Sequence, residues 1–266
     1  MKQDLFDIVI IGAGVIGHSI AFRLKQCRPD LNLAVLGDPM NSLMASRAAA
    51  GMLAPFGECS EADGFFRFCR ESLLQYPDFI NDLISISDIP VHLSMKGSLM
   101  PSSSLANDWE KQIRFFREEN IPHEIWSPAR CQQLAPALAA SCGEVLWVGE
   151  GQVNNREMHD ALVAASRKLG VEIFEKNVTG FVRDSSIVEA AITSTMEVRS
   201  QKFILASGSW SSQLGDALDL SLPLKPIKGQ MCRVQVQDDQ LDYTVHGLLT
   251  YVAPWRGGKG FVLGTT

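Results

Sequence analysis

The hydrophobic pattern begins with an unbroken apolar run, Ile8-Val9-Ile10-Ile11, which stops at Gly12-Ala13-Gly14 and gives way to apolar positions at helical spacing, Ile20, Ala21, Phe22 and Leu24. A β-branched run without alternation predicts a strand buried on both faces, so the order is strand, tight turn, helix. Leu33-Ala34-Val35-Leu36 repeats the strand signal. Residues 61–87 follow at helical spacing, and Phe65, Phe66, Phe68, Leu73, Leu74, Phe79, Ile80, Leu83 and Ile84 are expected in a core. Short strands are predicted at 91–93 and 97–100, a loop at Ser102-Ser103-Ser104, and a charged helix from Ala106 to Glu119. Ser127-Pro128 opens a further helix by N-cap and first-turn logic. Asn154-Asn155-Arg156-Glu157, a variant capping box, opens one that runs to Lys168-Leu169-Gly170. Strands are then expected at 171–175 and from Val178 to Arg183, with a hairpin of 187–193 and 196–199. A second buried strand, Lys202 to Leu205, ends in the small residues Ala206-Ser207-Gly208-Ser209 ahead of a helix start. Beyond Pro223 the pattern is strand-like to the end.

This series predicts an α/β fold with two interleaved parts. Segments 1–90 and 146–222 form a doubly wound, parallel-sheet domain, and 91–145 with 223–266 form a second, mainly antiparallel one. The 266 residues suffice for a sizeable core without staples. A net charge of −6 without a basic run argues against a nucleic-acid surface. No apolar stretch reaches the ~18 residues of a membrane span. Six cysteines without C-x-x-C spacing fit reduced thiols in a cytoplasmic protein. The five histidines lack metal-ligand spacing, and no G-x-S-x-G offers a hydrolase nucleophile.

The chemistry lies in Gly12-Ala13-Gly14-Val15-Ile16-Gly17, a G-x-G-x-x-G between strand and helix. Gly12 permits the turn, Gly14 lets backbone N–H groups approach a pyrophosphate, and Gly17 lets the helix lie close on the strand. The helix start supplies unpaired N–H groups and a positive dipole end. An acid is expected ~20 residues beyond the glycines to bind a ribose. Gly37 falls at that place. Asp38 reaches the ribose only if the strand ends at Leu36, and the competing reading is a Gly-Asp-Pro turn. Ala45-Ser46-Arg47-Ala48-Ala49-Ala50-Gly51-Met52 carries little bulk. It reads either as a wall pressed against a flat ligand, with Ser46 and Arg47 meeting phosphate oxygens, or as an Ala-rich helical turn packed tightly in the core.

Together with Gly57-Glu58-Cys59, Ala206-Ser207-Gly208-Ser209-Trp210-Ser211, Pro226-Ile227-Lys228-Gly229-Gln230 and Tyr251-Val252-Ala253-Pro254, these blocks resemble the glycine oxidase and D-amino acid oxidase family of FAD-dependent oxidoreductases, glycine oxidases most of all. The resemblance implies a Rossmann-like FAD-binding domain and a substrate domain. It implies that Val15 and Ile16 contact the FAD pyrophosphate, that Asp38 lies near the ribose, and that Ala45 and Ser46 follow. Ala50, Gly51 and Met52 would line the flavin, Val178 would meet the adenine by its main chain, and Tyr251 would bind substrate. Ala206 and Gly208 close a second strand end, which reads either as facing the same dinucleotide or as a simple strand-to-helix turn. The implied reaction oxidises a small amino acid or amine to an imine and returns electrons to dioxygen as hydrogen peroxide.

Family members continue about 100 residues further, in line with a two-domain enzyme. The chain is therefore expected to be incomplete, to lack the arginine that clamps a substrate carboxylate, and to leave strand 260–266 an unpaired edge through which copies associate. If turnover nevertheless occurs, Arg47 and Arg256 are the candidate clamps. The alternative is a flavin-binding or interaction protein without turnover.

Overall fold

The computed structural model describes residues 5–41, 44–105, 108–138, 142–237, 241–247, 249–255 and 259–265. In chain order, β1 (Phe6–Ile11), α1 (Val15–Cys27) and β2 (Leu33–Leu36) are followed by a helical turn α2 (Ala45–Ala48) and β3 (Met52–Leu53). Helix α3 (Gly64–Ser87) leads to β4 (Leu93–Ser94), β5 (Ser98–Pro101) and α4 (Ser102–Leu105). Then come α5 (Trp109–Glu118), β6 (His123–Trp126), α6 (Pro128–Leu134), β7 (Val145–Val148), β8 (Gly151–Val153) and α7 (Asn155–Lys168). Strands β9 (Glu172–Phe174), β10 (Val178–Asp184), β11 (Ile187–Thr193) and β12 (Glu197–Leu205) precede α8 (Ser211–Asp216). The chain continues through β13 (Met231–Gln235), β14 (Thr244–His246), β15 (Thr250–Pro254) and β16 (Gly260–Thr265).

Contacts divide these elements into two units. The first holds Met1–Ala48, Asp82–Pro90 and Arg156–Lys228; the second holds Ala49–Asn81, Val91–Asn155 and Gly229–Thr266. This differs from the sequence-based segments at 223–228, which group with the first unit, and at 49–81 and 146–155. The latter two stretches group with the second unit because β3 pairs with β8 and β7 pairs with β5 and β6.

The first unit's sheet has the order β10-β11-β12-β1-β2-β9, with β12, β1, β2 and β9 parallel. Its central strands are apolar throughout because both faces are covered. Ile10, Leu33 and Val35 pack with Ala21 of α1 on one side, while Val9, Ile11, Ala34 and Leu36 pack with Ala191 and Val198 on the other. Each buried Ile, Leu or Val among them contributes about 1.5–3 kcal/mol. The expected hairpin forms between β11 and β12, and its second arm is continuous with the strand expected at 202–205. β12 runs unbroken from Glu197 to Leu205, pairing antiparallel with β11 and then parallel with β1.

The second unit carries the sheet β13-β16-β15-β14-β5-β7-β6, antiparallel except between β14 and β5, and the small sheet β3-β8-β4. Strand alternation sorts its core. Met100, Leu146 and Val148 face Phe66, Ile113 and Phe116, whereas Leu99 and Val145 face Trp126 and Cys131. Three expectations are corrected in this unit. Phe65, Phe68 and Leu74 are solvent-exposed, since only the α3 face bearing Phe66, Leu73, Ile80 and Leu83 turns inward. Residues 102–104 form the helical turn α4 rather than a loop. Strand β16 is not an edge; it pairs with β13 and β15, which removes the basis for association through it. All six cysteines are unpaired, and among the described residues no helix is long and apolar enough to cross a membrane.

His18, on α1, is fully buried, with Nδ1 3.1 Å from Ser166 Oγ. Burial, then His159 and Arg167, push its pKa down from 6.5 to about 3. The imidazole stays neutral in the fold, while the unfolded chain takes up a proton below pH 6.5. Stability should therefore be full above that pH and fall toward pH 3, by about 1.4 kcal/mol per pH unit for this one group. Denaturant unfolding between pH 7 and pH 4 should show a shallower decline for His18→Leu than for the parent. Equal slopes would contradict this assignment.

Candidate cofactor site

In the first unit, strand β1 delivers the chain to Gly12 at the point where β12 ends. The Ala206 N–H donates to the Ile11 carbonyl at 2.7 Å, and a Cβ on Gly12 would lie 2.2 Å from the Ala206 carbonyl oxygen. Gly17 is tighter still: a Cβ there would sit 1.8 Å from the Gly12 carbonyl oxygen. These two contacts allow α1 to start directly behind the strand. Gly14 differs, because its backbone is extended and the one neighbour of an added Cβ is Ser46 Oγ at 3.1 Å. Its side of the turn is open. Ile16, in the first turn of α1, is 61% exposed, so the helix start is accessible.

Ser46 reaches this start from α2, and its Oγ accepts the Val15 N–H at 3.1 Å. The turn therefore brings together Gly12, Gly14, Val15, Ile16, Gly17, Ser46 and Ala206. Ala45 precedes Ser46 on the same turn; residues 45–48 are helical, as the Ala-rich reading expects, but none of them is buried, so the turn is not packed in a core. Arg47 faces elsewhere. Its guanidinium bonds Asp160 and lies 3.3 Å from His159 Nδ1, and the Arg156 Nε donates to the Arg47 carbonyl at 3.1 Å. In this arrangement a carboxylate and an imidazole hold the Arg47 guanidinium.

Strand β2 does end at Leu36, and the chain turns at Gly37 with φ +143°. Asp38 is half-buried, and its Oδ1 accepts the Met40 N–H at 2.8 Å, so it forms the turn whatever else it binds. Val178 opens β10 and packs on the layer containing Leu36 and Phe174. Gly208 begins a 3-10 turn, Gly208–Trp210, with open space around its Cα.

The remaining candidates lie in the second unit. Gly51, with φ +74°, would clash through a Cβ with the Val153 carbonyl oxygen at 1.9 Å, so its lack of bulk serves the β3–β8 pairing. The Gln152 amide donates to the Ala50 carbonyl at 3.0 Å, and Met52 pairs with Gln152. Tyr251, on β15, lies opposite Gly264 of β16, and a Cβ on that glycine would meet the ring at 2.2 Å. The ring lies in a groove of about 570 Å³ lined by Thr250, Gln230, Cys232, Leu263 and Gly264 among others. Burial, then Glu58, raises the Tyr251 pKa above its usual 10, so the phenol is protonated near neutrality. Arg256 lies outside the described residues.

Two groups escaped the sequence reading. Glu150 is fully buried; its Oε1 accepts the Phe56 and Gly57 N–H groups at 2.6 and 2.7 Å, its Oε2 accepts the Ser98 hydroxyl, and His246 Nε2 is 3.5 Å away. A lone acid between glycines in an apolar stretch was its only signal. His159 is the other. Without metal-ligand spacing around it, the sequence offers it a structural reading, and the structure places it on the buried face of α7.

The family described as FAD dependent oxidoreductase (DAO) matches residues 7–266. The chain is 29% identical to the bifunctional protein ThiO/ThiG of Synechocystis, with 99% of this chain and 39% of that protein covered. It is 26% identical to glycine oxidase of Bacillus subtilis, covering 100% of this chain and 70% of the other. The crystal structure of glycine oxidase from Geobacillus kaustophilus superposes with a TM-score of 0.89 at 27% identity, over 98% of this chain and 71% of that one. The chain thus spans about two fifths of the bifunctional relative and about 70% of the glycine oxidases.

Substitutions at the two ends of the turn should separate folding from cofactor retention. Gly14→Val should leave the far-ultraviolet circular dichroism and melting intact while FAD affinity, followed by flavin fluorescence, drops at least about tenfold, because the side chain occupies the approach to the turn. Gly17→Ala should instead lower the melting temperature or abolish soluble protein, since its Cβ meets fixed backbone. Parent-like FAD binding by the Gly14 variant would contradict the site.

Proposed function

The chain belongs to the FAD dependent oxidoreductase (DAO) family, and from that premise we propose that it oxidises the C–N bond of a small amino acid or amine, as a glycine oxidase does, giving an imine and reducing dioxygen to hydrogen peroxide. The observation that carries this reading is the glycine turn at the start of α1, where a Cβ on Gly12 or Gly17 would strike fixed backbone while one on Gly14 would meet Ser46 Oγ, and where Ile16 leaves the helix start exposed. Bound FAD supplies the acceptor for the hydride from the substrate Cα.

The chain's own residues hold and orient. The N–H groups of the turn and Ser46 take the pyrophosphate side, with Asp38 proposed at the ribose and the Val178 main chain at the adenine. Ala50, Gly51 and Met52 are proposed to line the flavin ring. The Tyr251 phenol, protonated and set in its groove by Gly264, donates to the substrate carboxylate. Glu150 fixes Phe56 and Gly57, just beyond the Gly51–Pro55 stretch, by two backbone hydrogen bonds. Six unpaired thiols support a cytoplasmic location.

A second reading, a chain that holds FAD without turnover, has one observation in its favour. Among the described residues, no arginine or lysine lines the groove around Tyr251, so a substrate carboxylate has no charged partner there.

Anaerobic addition of glycine, sarcosine or D-alanine to the FAD-loaded chain should bleach the oxidised flavin bands, and air should restore them with release of peroxide. Retained flavin that none of these substrates bleaches would overturn the oxidase reading in favour of the second. Tyr251→Phe should raise KM about tenfold with a smaller change in kcat, as expected for loss of a binding hydrogen bond.

A further inference from the structure

The glycine turn of the first unit is held from behind by a chain of polar side chains. His159 Nε2 lies 2.8 Å from the Ala13 carbonyl oxygen, in a fully buried setting. A carbonyl can only accept, so Nε2 carries the proton, and Nδ1 presents its lone pair to the Arg47 guanidinium at 3.3 Å. Asp160, the next residue on α7, pairs with the same guanidinium. The order is therefore Asp160, Arg47, His159, Ala13.

His18 completes the packing behind the turn. Ser166 Oγ gives its proton to the Leu162 carbonyl at 2.8 Å, so it accepts from His18 Nδ1. His18 Nε2 is thus a bare acceptor without a partner among the described residues, and its ring meets that of His159 edge-on at 5.8 Å. Both imidazoles are neutral, with opposite nitrogens protonated. Burial lowers the pKa of His159 as it does that of His18.

The Ala13 carbonyl shares a planar trans peptide with the Gly14 N–H, and the two point in opposite directions. Whatever fixes the carbonyl on one side aims the N–H on the other. We propose that His159, held by Arg47 and Asp160, is a positioning residue for the cofactor: it locks the Ala13–Gly14 peptide so that the Gly14 N–H faces the pyrophosphate. This rests on the assignment of the glycine turn as the FAD site. It also gives Arg47 a task behind the turn in place of direct phosphate contact.

The test is FAD and ADP binding to apoprotein, with melting of each apoprotein recorded alongside. His159→Leu should weaken both ligands by about tenfold, the worth of one aligned hydrogen bond to a charged group. His159→Gln, whose amide N–H reaches the same carbonyl, should restore affinity to within about threefold of the parent on the same scale. Asp160→Asn, at a half-exposed position, should fold normally and weaken both ligands less than the leucine variant. That variant keeps the test open if His159→Leu does not fold. A leucine variant that binds both ligands like the parent, a glutamine variant as weak as the leucine one, or an asparagine variant with unchanged affinity would overturn the proposal. A parent chain that binds neither ligand would instead refute the site assignment itself.

Discussion

The approach of three backbone segments at Gly12 is the constraint on which the first unit depends. The Gly12 carbonyl oxygen lies where a Cβ of Gly17 would be, and the Ala206 carbonyl lies where a Cβ of Gly12 would be. No side chain fits between β1, α1 and the end of β12. The strands can therefore pair in parallel as far as Ile11 and Leu205, and the helix can begin within a few residues of the strand it covers. A helix started so abruptly leaves its first N–H groups without partners inside the helix, and the Val15 N–H finds one in Ser46 Oγ.

The second unit solves a different problem, that of placing polar groups in a largely apolar sheet. Glu150 would be costly to bury alone, but it takes two backbone N–H groups and a hydroxyl, with His246 nearby. In so doing it fastens residues 56 and 57 to β5. Burial raises the Tyr251 pKa above its usual 10, and Gly264 opposite leaves the room its ring occupies.

What was legible in the sequence was whatever local pattern alone determines. The strand-turn-helix at residues 6–27 and the Ser127 cap, whose Oγ accepts the Arg130 N–H, follow from nearest neighbours along the chain. Helix α3 shows the limit. Its apolar residues wrap most of the way round, and only tertiary packing decides that Phe66 is buried while Phe65 and Phe68 are not. Strand 260–265 was misjudged for the same reason, since pairing on both sides is a property of the sheet and cannot be read from the strand. Arg47 was recognised as a residue of interest, but its partners Asp160 and His159 lie more than a hundred positions away, and no spacing rule connects them. Glu150 and His159 are single polar residues in apolar surroundings, which carry no signal until their partners are placed.

The central claim is that the turn at Gly12–Gly17 holds the pyrophosphate of FAD, and the most direct measurement is competition for flavin release from the loaded chain. ADP, which carries the pyrophosphate, should displace FAD at concentrations where adenosine does not, and the chain should hold about one flavin per molecule beforehand. Displacement by adenosine as readily as by ADP, or a chain that retains no flavin at all, would contradict it.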